Sequence, residues 1–396
     1  MSEACIGAEQ SRAIASTTLL MLSLAVGAFG IGTGEFAIMG LLPDIATGLG
    51  VSLPAAGHLI SAYALGVVIG APAIALLAAR LSRRTLLLAL MAGFAGGNLA
   101  SAVAPGILSL AAVRFLSGLP HGAYFGVAAL VAASVAPPGG RTQAIGRVML
   151  GLTVATLVGT PLVAWLGQIF GWRALFVLVG AVGALAVGLL WLTLPEHRPE
   201  PGASAFRELR ALRRPQVLLT LLFGSVGFGG MFAVFSYIAA TATEVAGLPA
   251  SFVPVILAIF GTGMIAGNLI GAKLADRALM ATIAGLTAFN IVVLVVFAMT
   301  AASAVMLCLC VFFIGFGVAM APAVQTRLMD VAGDAQTLAA TSMHAAFNIA
   351  NAAGAWLGGL AIAAGFGFAS TGWVGAGLGA IGLAVFAVSW ALDRRG

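Results

Sequence analysis

Runs of about 20 or more apolar residues recur twelve times along this chain. They lie at 17–42, 55–79, 85–104, 107–135, 145–170, 172–194, 217–243, 252–275, 279–299, 303–329, 337–364 and 370–391. A helix needs about 20 such residues to cross roughly 30 Å of hydrocarbon. Strands with an open edge leave backbone groups unpaired in lipid, so the runs are predicted to be helices. Of the 396 residues, 61% are hydrophobic and 8% charged, against about 25% charged in soluble domains. Too few polar groups exist to cover a wetted surface, so the chain needs lipid as its solvent. The fold class expected is an all-α membrane protein with twelve transmembrane helices.

Arg and Lys set the orientation. Arg12, the cluster Arg80, Arg83 and Arg84, then Arg141, Arg147, Arg198, Arg207, Arg210, Arg213, Arg214, Lys273, Arg277, Arg327, Arg394 and Arg395 all fall on one side of the alternating spans, and only Arg173 falls on the other. The basic side is expected to be cytoplasmic, which puts both termini inside. The net charge of +6 is thereby explained by topology, and no nucleic-acid partner is expected. The first apolar run exceeds the ~7–15 residues of a signal-peptide core and further runs follow at once, so it reads as a retained span. Cys5, Cys308 and Cys310 form neither a disulfide framework nor a metal spacing.

One long polar stretch, Pro195 to Gln216, divides the runs into six and six. It is expected to be a cytoplasmic linker (195–216) between an N-terminal bundle (1–194) and a C-terminal bundle (217–396), with Ala205 to Arg213 a candidate interfacial helix. A repeat crosses it. Ala75-Leu76-Leu77-Ala78-Ala79-Arg80 follows the second run and Ala272-Lys273-Leu274-Ala275-Asp276-Arg277 the eighth, offset by 276 − 79 = 197 residues. Two pseudo-symmetric six-helix bundles with a site between them is the expected architecture. Glycines at i, i+4, such as Gly66/Gly70 and Gly263/Gly267, suit close helix contacts.

Glu35 is the single ionisable residue in the first run. A charge at such depth costs about 2.5–3.5 kcal/mol on insertion scales. It therefore belongs in a protein interior or a watery cavity. It reads as a proton-carrying carboxyl, or alternatively as a neutral carboxyl bonded between helices. In the fourth run Arg114 and His121 lie seven residues apart, on one helix face with Gly118 between them. A cation near Glu35 would favour its ionised form; a purely structural Arg bonded to carbonyls is the other reading. Histidine is the side chain that ordinarily titrates near neutrality, so His121 could relay protons, or could stay neutral and position a ligand or a helix. His344, Asn348 and Asn351 share a face of the eleventh run, where they either line a cavity or bond helices together at about 0.6 kcal/mol per contact. Tyr63, Tyr124 and Tyr237 are candidate cavity hydroxyls. Asn98, Asn268 and Asn290 read as structural.

These residues sit in longer motifs: Gly32-Thr33-Gly34-Glu35-Phe36 with Gly40-Leu41-Leu42-Pro43, Gly57 to Gly66, Phe115 to Gly126, and Phe347-Asn348 with Gly354 to Gly359. In them the chain resembles the major facilitator superfamily, in its drug:proton antiporter branch, near bacterial arabinose-efflux-permease-like and chloramphenicol-type exporters. The resemblance implies the major facilitator fold, export of a sugar or drug-like compound by proton antiport with alternating access, and proton coupling through Arg114. It implies an antiporter motif at Gly151, Gly159 and Pro161, although Thr160 interrupts the common Gly-Pro pair. It also implies gating loops at Arg80, Arg83 and Arg84 and at Asp276 and Arg277. In the first copy Ala79 replaces the acidic residue, which predicts a weaker charge lock in the first half. These arginines could instead serve only topology and anionic headgroups.

No Gly-rich phosphate loop with Lys is present, nor a nucleophile and base signature. An enzyme is therefore not expected, and the energy source expected is a proton gradient with no cofactor and no metal. The expected partners are a small-molecule substrate and the lipid of a bacterial inner membrane, around a monomer. Uptake by proton symport or facilitation is the alternative function; a non-transporting sensor is a further one.

Overall fold

The computed structural model describes residues 3–51, 53–78, 81–195, 213–333 and 336–393. Among them, twelve helices are long and apolar enough to cross a membrane. The first six spans are α1 (Thr17–Ile38), α2 (Ala55–Leu77), α3 (Arg83–Ala102), α4 (Ile107–Ser134), α5 (Arg141–Gly167) and α6 (Arg173–Thr193). The second six are α7 (Pro215–Phe235), α8 (Val255–Ala275), α9 (Leu279–Thr300), α10 (Ala304–Ala332), α11 (Gln336–Phe366) and α12 (Ser370–Asp393). The predicted runs match them one for one. α5 begins at Arg141, earlier than the apolar run, because its first turn carries polar side chains that a hydrophobic count passes over. α7 stops short of 243 because the chain leaves helical geometry at Tyr237 (φ −119°, ψ 12°). Residues 196–212, most of the predicted linker and its interfacial helix, lie outside the described residues, as do Ala79, Arg80, Arg394 and Arg395.

Two apolar cores form. One joins buried residues from Leu20 to Leu194; the other joins Val217 to Phe386 and takes in Ala129, Leu130, Ile145 and Met149 of the first half. The halves therefore meet along α4 and α5. Outward faces carry Leu22, Leu65, Trp165, Trp191, Trp356 and Trp373, all exposed. The helices are apolar on every side because lipid solvates one face and protein packs on the other.

Each half contains a corresponding pair of helices that approach backbone to backbone. A Cβ on Gly66 or Gly70 of α2 would overlap the carbonyl of Phe115 or Leu119 on α4. A Cβ on Gly263 or Gly267 of α8 would overlap the carbonyl of Phe312 or Phe316 on α10. The offsets, 263 − 66 and 267 − 70, are both 197, the register of the loop repeat. The two halves thus reproduce one contact in which the absence of a side chain sets the helix spacing. Gly263→Val should wedge α8 from α10. Overpacking of this kind costs about 1–3 kcal/mol, read as a lower Tm of the purified protein in detergent. An unchanged Tm would show that this approach is not constrained.

Candidate functional site

A cleft with about 840 Å³ of empty space, part of it open to solvent, lies between the halves. The first half contributes Glu35 and Phe36 from α1, His121 from α4, and Met149, Leu152, Thr153 and Thr156 from α5. The second contributes Phe228, Met231, Phe232 and Phe235 from α7, Phe260 and Met264 from α8, Val318 and Ala321 from α10, and His344, Phe347, Asn348 and Asn351 from α11.

Small residues aim Glu35 at this space. A Cβ on Gly32 would crowd Leu152 and Ala155 of α5, and one on Gly34 would crowd Val179 of α6 and Phe94 of α3. With those faces packed, the side chain between them is left to the cavity. Glu35 is half-buried and, among the described residues, carries no hydrogen bond or ion pair. The reading of a carboxyl bonded between helices finds no partner there.

Arg114 departs from expectation. It is 0% exposed and does not line the cavity. Its guanidinium lies 4.2 Å from the ring centroid of Tyr63 and 5.8 Å from that of Phe176, and its three nitrogens have no hydrogen-bond partner among the described residues. It makes neither a direct pair with Glu35 nor bonds to carbonyls. The aromatic faces hold it by cation–π attraction. Arg114 and His121 share a helix face as the spacing predicts, and Tyr63 joins them: its hydroxyl lies 3.1 Å from His121 Nδ1.

The three tyrosines need correcting as cavity residues, since none lines it. The Tyr63 hydroxyl is engaged with His121. Tyr124 Oη donates to the Leu24 carbonyl at 2.8 Å, and Tyr237 Oη to the Ala355 carbonyl at 2.8 Å. A buried hydroxyl takes a partner wherever one is near, and here the partner is a neighbouring helix. His344, Asn348 and Asn351 do line the cavity together, with Asn348 Nδ2 donating back to the His344 carbonyl at 3.0 Å.

In α5, Gly151 lies against the Ala25 carbonyl and Gly159 against Thr33 Oγ1, both on α1. Pro161 has no N–H for the Leu157 carbonyl. The chain absorbs this with a π turn over Ala155–Gly159, a widened turn typical of functional helices, which carries Thr156 into the cavity wall.

At the basic end the halves are bonded together. Asp276, from the loop after α8, accepts from the Thr142 N–H at 2.8 Å and the Gln143 N–H at 3.0 Å. It thus caps the start of α5 in the opposite half, where the helix dipole favours an anion. Arg141 pairs with Asp330 at 2.9 Å, and Thr326 Oγ1 donates to Thr142 Oγ1 at 3.1 Å. Of the predicted gating residues, Asp276 makes a lock, Arg277 is exposed and Arg84 donates to the Trp191 carbonyl of its own half at 3.0 Å; Arg83 is half-buried. Sequence reasoning missed Thr142, Thr326 and Asp330. It also missed the phenylalanines and methionines of the cavity wall, which give no signal in a chain this apolar.

Two six-helix bundles around a central cavity, bonded at one end, have the architecture of a multi-pass membrane transporter. A family model described as Major Facilitator Superfamily matches residues 24–335, and the chain belongs to that family. It is 40% identical over 349 residues to the inner membrane transport protein YdhP of Escherichia coli, covering 88% of this chain and 90% of that one. The putative transporter AraJ of Escherichia coli is 36% identical, covering 88% and 89%. A chloramphenicol resistance protein of Streptomyces lividans is 34% identical, covering 84% and 86%. The fold matches the transporter FucP in its outward conformation with a TM-score of 0.75 at 16% identity, covering 94% of this chain and 99% of that one.

Proposed function

We propose that this protein exports a small, amphipathic, drug-like compound across the bacterial inner membrane in exchange for protons, by alternating access. One observation carries the reading. Among the described residues, Glu35 is the single carboxyl on the wall of a cavity otherwise lined by six phenylalanines, three methionines, Leu152, Val318, Ala321 and a few neutral polar groups. An acid kept at that depth is functional by default. A proton and a cargo that both need this wall exclude one another, and mutual exclusion within one cavity is antiport.

The wall also favours one arm of the expected cargo. A sugar, polar on every side, would leave hydroxyls unpaired against Phe228, Phe232, Phe235 and Phe260, and each unpaired group costs about 1–3 kcal/mol. A flat aromatic compound with one polar edge matches the rings on α7 and α8 and the strip His344, Asn348 and Asn351. The likeness to a chloramphenicol resistance protein supports outward transport. In this reading the basic end faces the cytoplasm with both termini inside, and the lock there makes this an outward-facing state. The proton gradient supplies the energy without a cofactor, and a monomer in lipid with its substrate is the working unit.

Reconstitution in liposomes tests direction without needing oriented insertion. An acidic lumen should drive accumulation of a neutral aromatic amide such as chloramphenicol, and should not drive L-arabinose. Accumulation driven by an acidic bath instead would make the protein a symporter.

A further inference from the structure

α4 and α11 meet at a notch beside the cavity. A Cβ on Gly122 would crowd Ala71, His344 and Thr341, and one on Gly126 would overlap the backbone of Thr341. Two imidazoles, one from each half, sit at this notch. His121 is 2% and His344 4% exposed, and their ring centroids are 5.4 Å apart. The His344 ring lies flat on Phe125 of the opposite half, 4.2 Å between centroids and 16° between planes. Phe347 meets it edge-on at 5.5 Å. The Tyr63 hydroxyl lies 3.1 Å from His121 Nδ1. His344 Nε2 is buried and has no hydrogen-bond partner among the described residues, although buried polar atoms rarely go unpartnered. Both rings line the cavity.

We propose that His121 and His344 form a second proton-binding site, distinct from Glu35, that latches the two halves together. Neutral, the rings stack and α4 rests against α11. When His344 takes a proton on its free Nε2, a charge enters a wall of aromatic rings beside a second imidazole, and the contact between α4 and α11 loosens. Few other ionisable groups act on the pair. α2 presents Tyr63, α4 carries Arg114 two turns away, and α1 presents Glu35 across the cavity. The lining residues of α5, α7, α8 and α10 are uncharged, and α3 is free of ionisable residues from 85 to 102. An outward-facing protein whose cavity fills with protons would thereby be released to open inward, the order that antiport requires. The inference rests on the antiport reading above, and it adds a site and a consequence to it.

The test uses the full chain in nanodiscs, without cargo or gradient, so that protons are the only ligand. Spin labels at Pro138 and Lys273, exposed positions at the basic end of the two halves, report separation in a background with the native cysteines replaced. Acidification from about pH 8 to about pH 4, through and below the range in which an unperturbed histidine titrates, should shift the closed-to-open ratio roughly tenfold per unit of pKa difference between the two states. H344F keeps the stack on Phe125 without a titrating group, and H344Q keeps polarity without charge; both should stay closed throughout. E35Q should still open with acid. A static wild type, opening of either His344 variant as in wild type, or loss of the movement in E35Q would each overturn the proposal. Movement that persists while liposomes show no proton-driven flux would reject the antiport reading and leave the latch standing.

Discussion

Glu35→Gln should abolish proton-driven accumulation while leaving the protein inserted, folded and able to carry cargo down its own gradient. The amide matches the carboxyl in size and keeps hydrogen-bonding capacity, but it cannot bind and release a proton. Glu35 is half-buried on the cavity wall, without a hydrogen bond or ion pair among the described residues, so the substitution breaks no helix-to-helix bond. A lost proton-transfer group typically lowers rates by about a hundredfold or more, and that is the deficit expected in accumulation driven by an acidic lumen. Counterflow of labelled cargo, which needs no proton movement, should fall by far less. The two assays on one preparation separate coupling from binding. Equal accumulation by wild type and variant would remove Glu35 from the energy pathway.

Asp276→Ala should open the basic end. The carboxylate accepts two backbone N–H groups of α5 at 2.8 and 3.0 Å. Hydrogen bonds to charged groups are worth about 1.5–3 kcal/mol, and the helix start adds its own preference for an anion. Because these bonds join the two halves, their loss shifts a conformational equilibrium without unfolding either half. At about 1.4 kcal/mol per factor of ten, the closed-to-open ratio should fall about ten- to a hundredfold. Labelling of a cysteine placed at Thr326, buried between the halves, would report it as faster modification. Asp276→Asn, which keeps acceptor capacity without the charge, should fall between. Unchanged labelling in Asp276→Ala would mean that Arg141 and Asp330 hold the end closed by themselves.

The membrane fold was legible in the residues because lipid imposes a length and a polarity that composition cannot disguise. The 197-residue register was legible in the loop repeat, and the glycine contacts of α2 with α4 and of α8 with α10 show the same register in packing. Polar residues were legible only as candidates. Glu35, His121, His344, Asn348 and Asn351 converge on the cavity, whereas Tyr63, Tyr124 and Tyr237 point their hydroxyls at other partners. Nothing in a sequence states whether a hydroxyl in an apolar run meets a ligand or the neighbouring helix, since both satisfy it equally. Arg114 illustrates the same limit: its spacing predicted its face, but its partner is an aromatic ring that periodicity cannot single out. Phe232 and Phe235 were invisible, being ordinary residues for any helix in oil.

The distribution of chemistry over the chamber is uneven. Among the described residues, its one acid stands in the first half, one histidine stands in each, and five of its six phenylalanines stand in the second. On the proposed function, the carboxyl that binds the proton and most of the rings that would meet the cargo therefore stand on different halves. If export against protons is its function, substitutions in α7 and α8 would change which cargo fits while leaving Glu35 in place, so related chains could diverge in cargo and keep the same coupling.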